Sequence, residues 1–162
     1  MIKIATKEDI PSLVKWLELL ISHTQASTSD PYICNLEPGY DEVHEPFFAN
    51  AIESDQGEIY IFEEDGVKKG FIYGGITKPF LDASSVKAIG QINFCWVDEQ
   101  YRKQGIASAL VQSMEQWFQS KGIEYIDLHY LVGNVEAEKS WAKMGYAPYR
   151  VASRKKLATN DK

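Results

Sequence analysis

The 162 residues suffice for one domain with a substantial core, and a formal net charge of −6 argues against a general nucleic-acid binder. A composition 44% hydrophobic and 25% charged, with only short apolar runs, excludes a bilayer-spanning segment and fits a soluble globular protein with no membrane partner. The opening MIKIATKEDI lacks the basic-then-apolar layout of a secretory signal, so a cytoplasmic location is expected.

In chain order, residues 2–5 (IKIA) read as a short first strand. TKEDIPSLVKWLELLISH follows with Ile10, Leu13, Leu17 and Leu20 at helical spacing; Thr6 or Asp9 can cap it, and Pro11 is tolerable only in the first turn. TQASTSDPYICNLEPGYD is turn-rich and reads as irregular, and EVHEPFFANAIES as a second helix with Val43, Phe47, Phe48 and Ala51 on one side. Two β-rich runs, Ile59 to Phe62 and Gly70 to Ile76, flank EEDG, where Asp65-Gly66 is a strong hairpin signal. VKAIGQINFCWV is the next strand, a helix starts after Gly105, and GIEYIDLHYLV is a strand after the Gly122 stop. NVEAEKSWAKMG is a last helix ended by Gly145, and YAPYRVASRKKL supplies one more strand. The order βααβββαβαβ describes one α/β domain over 1–157, with a short polar tail at 158–162. Cys34 and Cys95 lie too far apart to suggest a disulfide framework or a zinc site, and no metal is expected; Cys95 reads as a buried thiol.

The stretch WVDEQYRKQGIASALVQSMEQWF, residues 96–118, joins a strand to a helix through a basic, glycine-containing turn. Helix N-termini offer unpaired N–H groups and a partial positive charge, so they suit anions. Gly105 removes a side chain that would hold a phosphate off the backbone, Ala107 keeps the next turn small, Ser108 adds a hydroxyl, and Arg102 and Lys103 add charge. Behind them Ile106, Leu110, Met114 and Trp117 follow the spacing of a core-facing stripe. Neither GxGxxG nor a GKS/GKT P-loop is present, and the stretch alone leaves both a plain connector and an anion seat open.

Arg102-Lys103-Gln104-Gly105-Ile106-Ala107 resembles the Q/R-x-x-G-x-G/A signature of the GCN5-related N-acetyltransferase (GNAT) superfamily. GNVEAEKSWAKMGYAPY resembles the family's N-x-x-A…GF segment, with Asn134, Ala137, Gly145 and Tyr146 in the matching places. The resemblance implies a GNAT fold, a mixed central sheet of six to seven strands flanked by about four helices. It implies an acetyl-CoA-dependent acyltransferase acting by direct attack of a primary amine of a small molecule or peptide, with acetyl-CoA as co-substrate. The pyrophosphate would sit on the amides of Gln104, Gly105, Ile106, Ala107 and Ser108, helped by the charges of Arg102 and Lys103. The strand ending at Trp96 and Val97 would part from the strand starting near Ile123, and the pantetheine arm would pair in the gap like an added strand. Asn134 would contact the cofactor, cap its helix, or do both. Homodimers are common in the family.

The chemistry departs from the family in two places. No carboxylate lies between Val86 and Val97 to act as base; simple alternation puts Gln91, Asn93 and Cys95 on one strand face and Ile92, Phe94 and Trp96 on the other. Gln91 and Asn93 can position water or substrate, and backbone near Cys95 to Val97 can donate to the oxyanion. Asp127 and His129 share a face of the next strand, and His129 is a candidate proton acceptor or a structural histidine. Trp141 stands where the family commonly has a tyrosine that protonates the leaving thiolate; an indole can donate a hydrogen bond but not readily a proton. Tyr130 and Tyr146 are substitutes for that role or packing residues. Catalytic candidates are therefore Trp141, His129 and Asn93, with Tyr32 and Gln91 toward the acceptor. Tyr40, Glu42, His44 and Glu45 could join Tyr32 at the pocket, or be ordinary surface. The alternative to an enzyme is a CoA-binding module that has lost its chemistry and acts as a sensor or interaction partner.

Overall fold

A computed structural model describes residues 1–158, so the expected tail lies outside them except for residue 158. Its elements are β1 (Ile2–Ile4), α1 (Ile10–Ala26), α2 (Pro31–Cys34), α3 (His44–Glu53), β2 (Gly57–Glu64), β3 (Val67–Thr77), β4 (Ile89–Val97), α4 (Ile106–Ser120), β5 (Ile126–Leu128) and α5 (Val135–Lys143). The sheet runs β1-β2-β3-β4-β5; the first four strands are antiparallel neighbours, and β5 lies parallel to β4. Among the described residues no helix is long and apolar enough to cross a membrane.

Strand alternation separates two cores. Ile59, Ile61 and Phe71 pack with Leu13, Trp16 and Leu17 of α1 and Phe48 of α3 on one face. Ile72 and Ile92 pack with Leu110, Met114 and Phe118 of α4 on the other. Each large buried side chain contributes about 1.5–3 kcal/mol. α4 approaches the sheet so closely that a Cβ on Gly90 would stand 2.8 Å from the Phe118 ring, and one on Gly74 2.8 Å from Met114 Sδ. Both strand glycines are thus required by packing.

α1 is fixed at its start by Asp9, which is 1% exposed. Its carboxylate accepts from the Thr6 N–H (2.9 Å) and pairs with Lys3 of β1 (3.0 Å) and Lys68 of β3 (2.6 Å). Burial by itself would raise the Asp9 pKa, but the hydrogen bonds from Lys68, Thr6 and Lys3 hold it well below the usual carboxylate range. Pro11 sits in the first turn, where its missing N–H is harmless.

The sheet has five strands among the described residues rather than six to seven, and five helices rather than about four. The added helix is α2, capped by Asp30, whose carboxylate accepts from the Tyr32 N–H at 2.8 Å. The expected last strand, YAPYRVASRKKL, is irregular over 147–158. Pro148 removes a ladder donor, and Tyr149, Val151 and Leu157 are all exposed, so this stretch has no buried face. Side chains hold it instead: Tyr149 Oη donates to Asp127, Arg150 stacks on Phe80, and Arg154 stacks on Tyr32 and pairs with Asp30. The strand expected over Gly122–Val132 shortens to Ile126–Leu128.

Candidate active site

β4 and β5 pair only over Gly90–Ile92 and Ile126–Leu128. β4 runs on to Val97, so its edge beyond Ile92 has no β5 partner. The parting begins at a bulge: Tyr73 pairs with Phe94 and Gly74 with Ile92, leaving Asn93 as the extra residue. A bulge raises local twist and re-aims the side chains after it. Hence the simple alternation expected for this strand fails. Ile92, Cys95 and Val97 pack toward α4, whereas Phe94 and Trp96 pack toward α1 and α3. Gln91, Asn93 and Cys95 do not form one polar face.

The open edge of β4, the start of α4 and one side of α5 enclose a cleft of about 970 Å³. At the α4 end Gly105 adopts φ +82°, a left-handed conformation that favours glycine, and a Cβ there would meet nothing within 4 Å. Gly105 offers no side-chain cap, and no acidic residue occupies the first turn of α4. The first helical bond of this end runs from the Ala109 N–H to the Gly105 carbonyl (3.0 Å), so the amides of Ile106, Ala107 and Ser108 precede the ladder. Ile106, Ala107 and Ser108 all line the cleft, with Lys103, itself at φ +61°, beside them. Gln104 is not on the wall; its amide donates to the Gln100 carbonyl (3.3 Å).

Arg102 is partly committed elsewhere. Its Nε donates to the Val97 carbonyl (3.0 Å) and its guanidinium lies 4.7 Å from the Trp96 ring centre. It therefore pins the end of β4 to the turn while keeping its charge at the cleft. Trp96 is held again from behind: its indole N–H and that of Trp16 both donate to Asp98 Oδ1, at 3.1 and 2.9 Å.

Asn134 caps α5, its Oδ1 accepting from the Ala137 N–H (3.1 Å), and it also lines the cleft. Trp141 stands on the same wall, edge-on to Tyr146 with ring centres 5.4 Å apart. Among the described residues its indole N–H has no hydrogen-bond partner, whereas the Tyr146 hydroxyl donates to Glu115 (2.9 Å). Burial first, and the Glu115 carboxylate second, push the Tyr146 pKa up. Burial pushes the Cys95 thiol up to about 12, although part of the residue opens onto the cleft.

The other residues singled out from sequence gather elsewhere. Gln91 and His129 meet at 3.0 Å, and Arg150 approaches His129 Nε2 at 3.4 Å. It is the Gln91 amide nitrogen that faces Nδ1; a neutral imidazole accepts at only one ring nitrogen, so Gln91 and Arg150 cannot both donate to it at once. Neither Gln91 nor His129 lines the cleft, nor do Asn93 and Tyr32. Tyr32 is 76% exposed under Arg154, and His44 is buried beside Tyr40. Conversely, His23 of α1 and Lys139, Ser140 and Lys143 of α5 reach the cleft without having been singled out. Lys139, Ser140 and Lys143 follow Glu136 at i+3, i+4 and i+7 and so share a face with it rather than with Asn134. His23 could not be read from the sequence, because its neighbour Trp96 is remote along the chain.

The acetyltransferase (GNAT) family profile matches residues 21–146. No curated protein matches the chain. Solved structures share the fold at low identity. A tetramutant of the BH1408 protein from Bacillus halodurans superposes with a TM-score of 0.83 at 15% identity, over 97% of this chain and 99% of that one. Aminoglycoside antibiotic 6'-N-acetyltransferase AAC(6')-IG from Acinetobacter haemolyticus gives 0.74 at 13%, over 98% and 99%. AAC(6')-Iy in complex with the bisubstrate analogue CoA-S-monomethyl-acetylneamine gives 0.75 at 18%, over 98% of each chain. The molecule is an α/β protein of the GNAT fold. The profile match covers most of its length, and the chain belongs to the acetyltransferase (GNAT) family.

Proposed function

We propose that this protein is an acetyl-CoA-dependent N-acetyltransferase that acetylates a primary amine of a small molecule or peptide by direct attack. The observation that carries the reading is the union, in one cleft, of an uncapped helix N-terminus and an unpaired strand edge. The first suits a pyrophosphate; the second suits an extended amide-bearing arm. The names of two similar structures, both aminoglycoside acetyltransferases, support an amine acceptor.

In this reading the amides of Gly105, Ile106, Ala107 and Ser108 hold the pyrophosphate, with Lys103 and Arg102 adding charge. The edge from Asn93 to Val97 aligns the pantetheine, and Asn134 turns its free amide NH₂ to the cofactor. A backbone N–H between Cys95 and Val97 faces the thioester oxygen. Alignment of amine and thioester can supply about 7–11 kcal/mol of barrier reduction. Loss of one oxyanion donor typically costs about 3–4 kcal/mol, so the strand edge is the second contributor.

The test has two stages. Saturating acetyl-CoA should raise the melting temperature, and a panel of primary amines, aminoglycosides included, should then yield free CoA. No rise in melting temperature would sink the reading. A second reading is favoured by one observation: Trp141 brings no hydroxyl to the cleft, and the Tyr146 hydroxyl is tied to Glu115. A rise in melting temperature with no CoA release from any amine would support that reading, a CoA-binding module without chemistry.

A further inference from the structure

The cleft has walls from both faces of the sheet. Ile106 and Met144 belong to the α4 side, whereas Trp96 belongs to the α1 side. At the α1 end stands His23, half-buried, with its ring edge-on to Trp96 at 5.7 Å and 71°. Trp96 cannot swing away, because Asp98 holds its N–H and Arg102 covers its face. His23 is thereby placed where the free edge of Cys95, Trp96 and Val97 meets the cleft. Among the described residues neither of its ring nitrogens has a hydrogen-bond partner, so a lone pair is available to a ligand.

The other groups on the wall are less suited to accept a proton. Cys95 stays a thiol, since burial pushes it up to about 12. Glu99 has a side chain 76% exposed beside Arg102, and Glu136 is exposed on the first turn of α5. Tyr101 lies beneath the Lys69 ammonium. The protein's other two imidazoles are engaged or sealed: His129 lies between Gln91 and Arg150 outside the cleft, and His44 is buried.

We infer that His23 is the proton acceptor of the acetyl transfer, receiving a proton from the acceptor ammonium as it enters from the α1 side of the sheet. This rests on the acetyl-transfer reading above. The His23 lone pair takes one proton from R–NH₃⁺. The amine nitrogen then adds to the thioester carbon, forming the C–N bond. Collapse breaks the C–S bond, and the departing thiolate takes the second proton from the new amide nitrogen. The imidazolium returns its proton to solvent, so one proton is released per acetyl transferred. The charged residues that line the cleft with His23 are Glu99, Arg102 and Lys103 after β4 and Glu136, Lys139 and Lys143 of α5; Asp98 stands behind Trp96, and α2 carries no charged side chain.

With only three histidines, the imidazole Cε1–H resonances make a direct test. Saturating acetyl-CoA should move the His23 resonance and leave those of His44 and His129 in place. His23→Gln should bind acetyl-CoA within about twofold of the parent and melt at a similar temperature. With an amine that the parent turns over, its kcat should fall at least ~100-fold, the lower end for a lost general base. The parent's fall in kcat/KM on the acid side, where an imidazole base becomes protonated, should flatten in the variant. Acetyl-CoA that raises the melting temperature while His23 stays unmoved would overturn the assignment. So would a His23→Gln variant with unchanged kcat and pH profile. Failure of acetyl-CoA to bind at all would instead strike the acetyl-transfer reading itself.

Discussion

Two helices begin on the same cleft and begin differently. α5 is closed: Asn134, at φ −78°, gives its side-chain oxygen to the Ala137 N–H, and Glu136 and Glu138 place negative charge on the positive end of the helix dipole. α4 is left open: Gly105, at φ +82°, has no side chain to give, and its first turn carries no acid. A cap and first-turn acids stabilise a helix by satisfying the groups an anion would otherwise take. α5 uses that capacity on itself, whereas α4 keeps it for a ligand and gains its stability from Leu110, Met114 and Phe118 against the sheet.

The largest effect should come from closing α4 with charge. Gly105→Glu puts a carboxylate over the open amides and should weaken acetyl-CoA binding by at least ~100-fold, about 2.7 kcal/mol by titration calorimetry. Gly105→Ala separates strain from charge. A Cβ meets no neighbour within 4 Å, but the left-handed backbone should cost about 1–2 kcal/mol of stability. Its affinity should stay within about threefold. Unchanged affinity in a folded Gly105→Glu variant would show that α4's open end is not the seat.

Making α4 resemble α5 should move stability and binding in opposite directions. Ser108 is exposed in the first turn, so Ser108→Glu should stabilise the helix by about 0.3–1 kcal/mol through the dipole. The same carboxylate should weaken acetyl-CoA binding by about tenfold. A melting temperature and an affinity that rise together would break the comparison.

The reverse experiment opens α5. Asn134→Ala removes the cap and should cost about 1 kcal/mol in thermal or urea unfolding. Asn134→Asp keeps the oxygen that accepts from Ala137, and so the stability, but exchanges the amide NH₂ for negative charge. If Asn134 also touches the cofactor, the aspartate variant should bind acetyl-CoA about threefold to tenfold more weakly at unchanged melting temperature. Unchanged affinity would leave Asn134 a cap and nothing more.

What could be read from the sequence tracks how local its cause is. The Gly105 turn, the Asn134 cap and the hairpin at Asp65-Gly66 each follow from a few adjacent residues, and all three appear in the structure. The α4 stripe was legible for the same reason, since its spacing alone marks Ile106, Leu110, Met114 and Trp117 as buried. The faces of β4 were not legible. Period-two counting assumes an unbroken ladder, and Asn93 breaks it through a register shift that depends on β3. Past Tyr146, which packs against Trp141, the YAPYRVASRKKL segment has strand-forming residues but no buried face, and stacking with Tyr32 and Phe80 decides its path. His23 depends on a contact with Trp96 that only the assembled sheet creates.

Trp141 lies beyond the cap of α5 and should give the smallest effect. Its indole N–H faces no protein acceptor among the described residues, so it can hydrogen-bond to a ligand, but it cannot readily donate a proton. Trp141→Tyr would add a group that can. A thiol with a pKa near the ordinary ~8.5 leaves well without an acid, so protonating it removes little of the barrier. Single-turnover acetyl transfer should therefore change by no more than about threefold in this variant. The smaller ring should weaken the edge contact with Tyr146, costing at most about 0.5–1.5 kcal/mol of stability in thermal unfolding. A much larger rise in rate would show that departure of the thiolate is slow in the parent. Proton removal at the α1 end of the cleft would then no longer be the step that sets the rate.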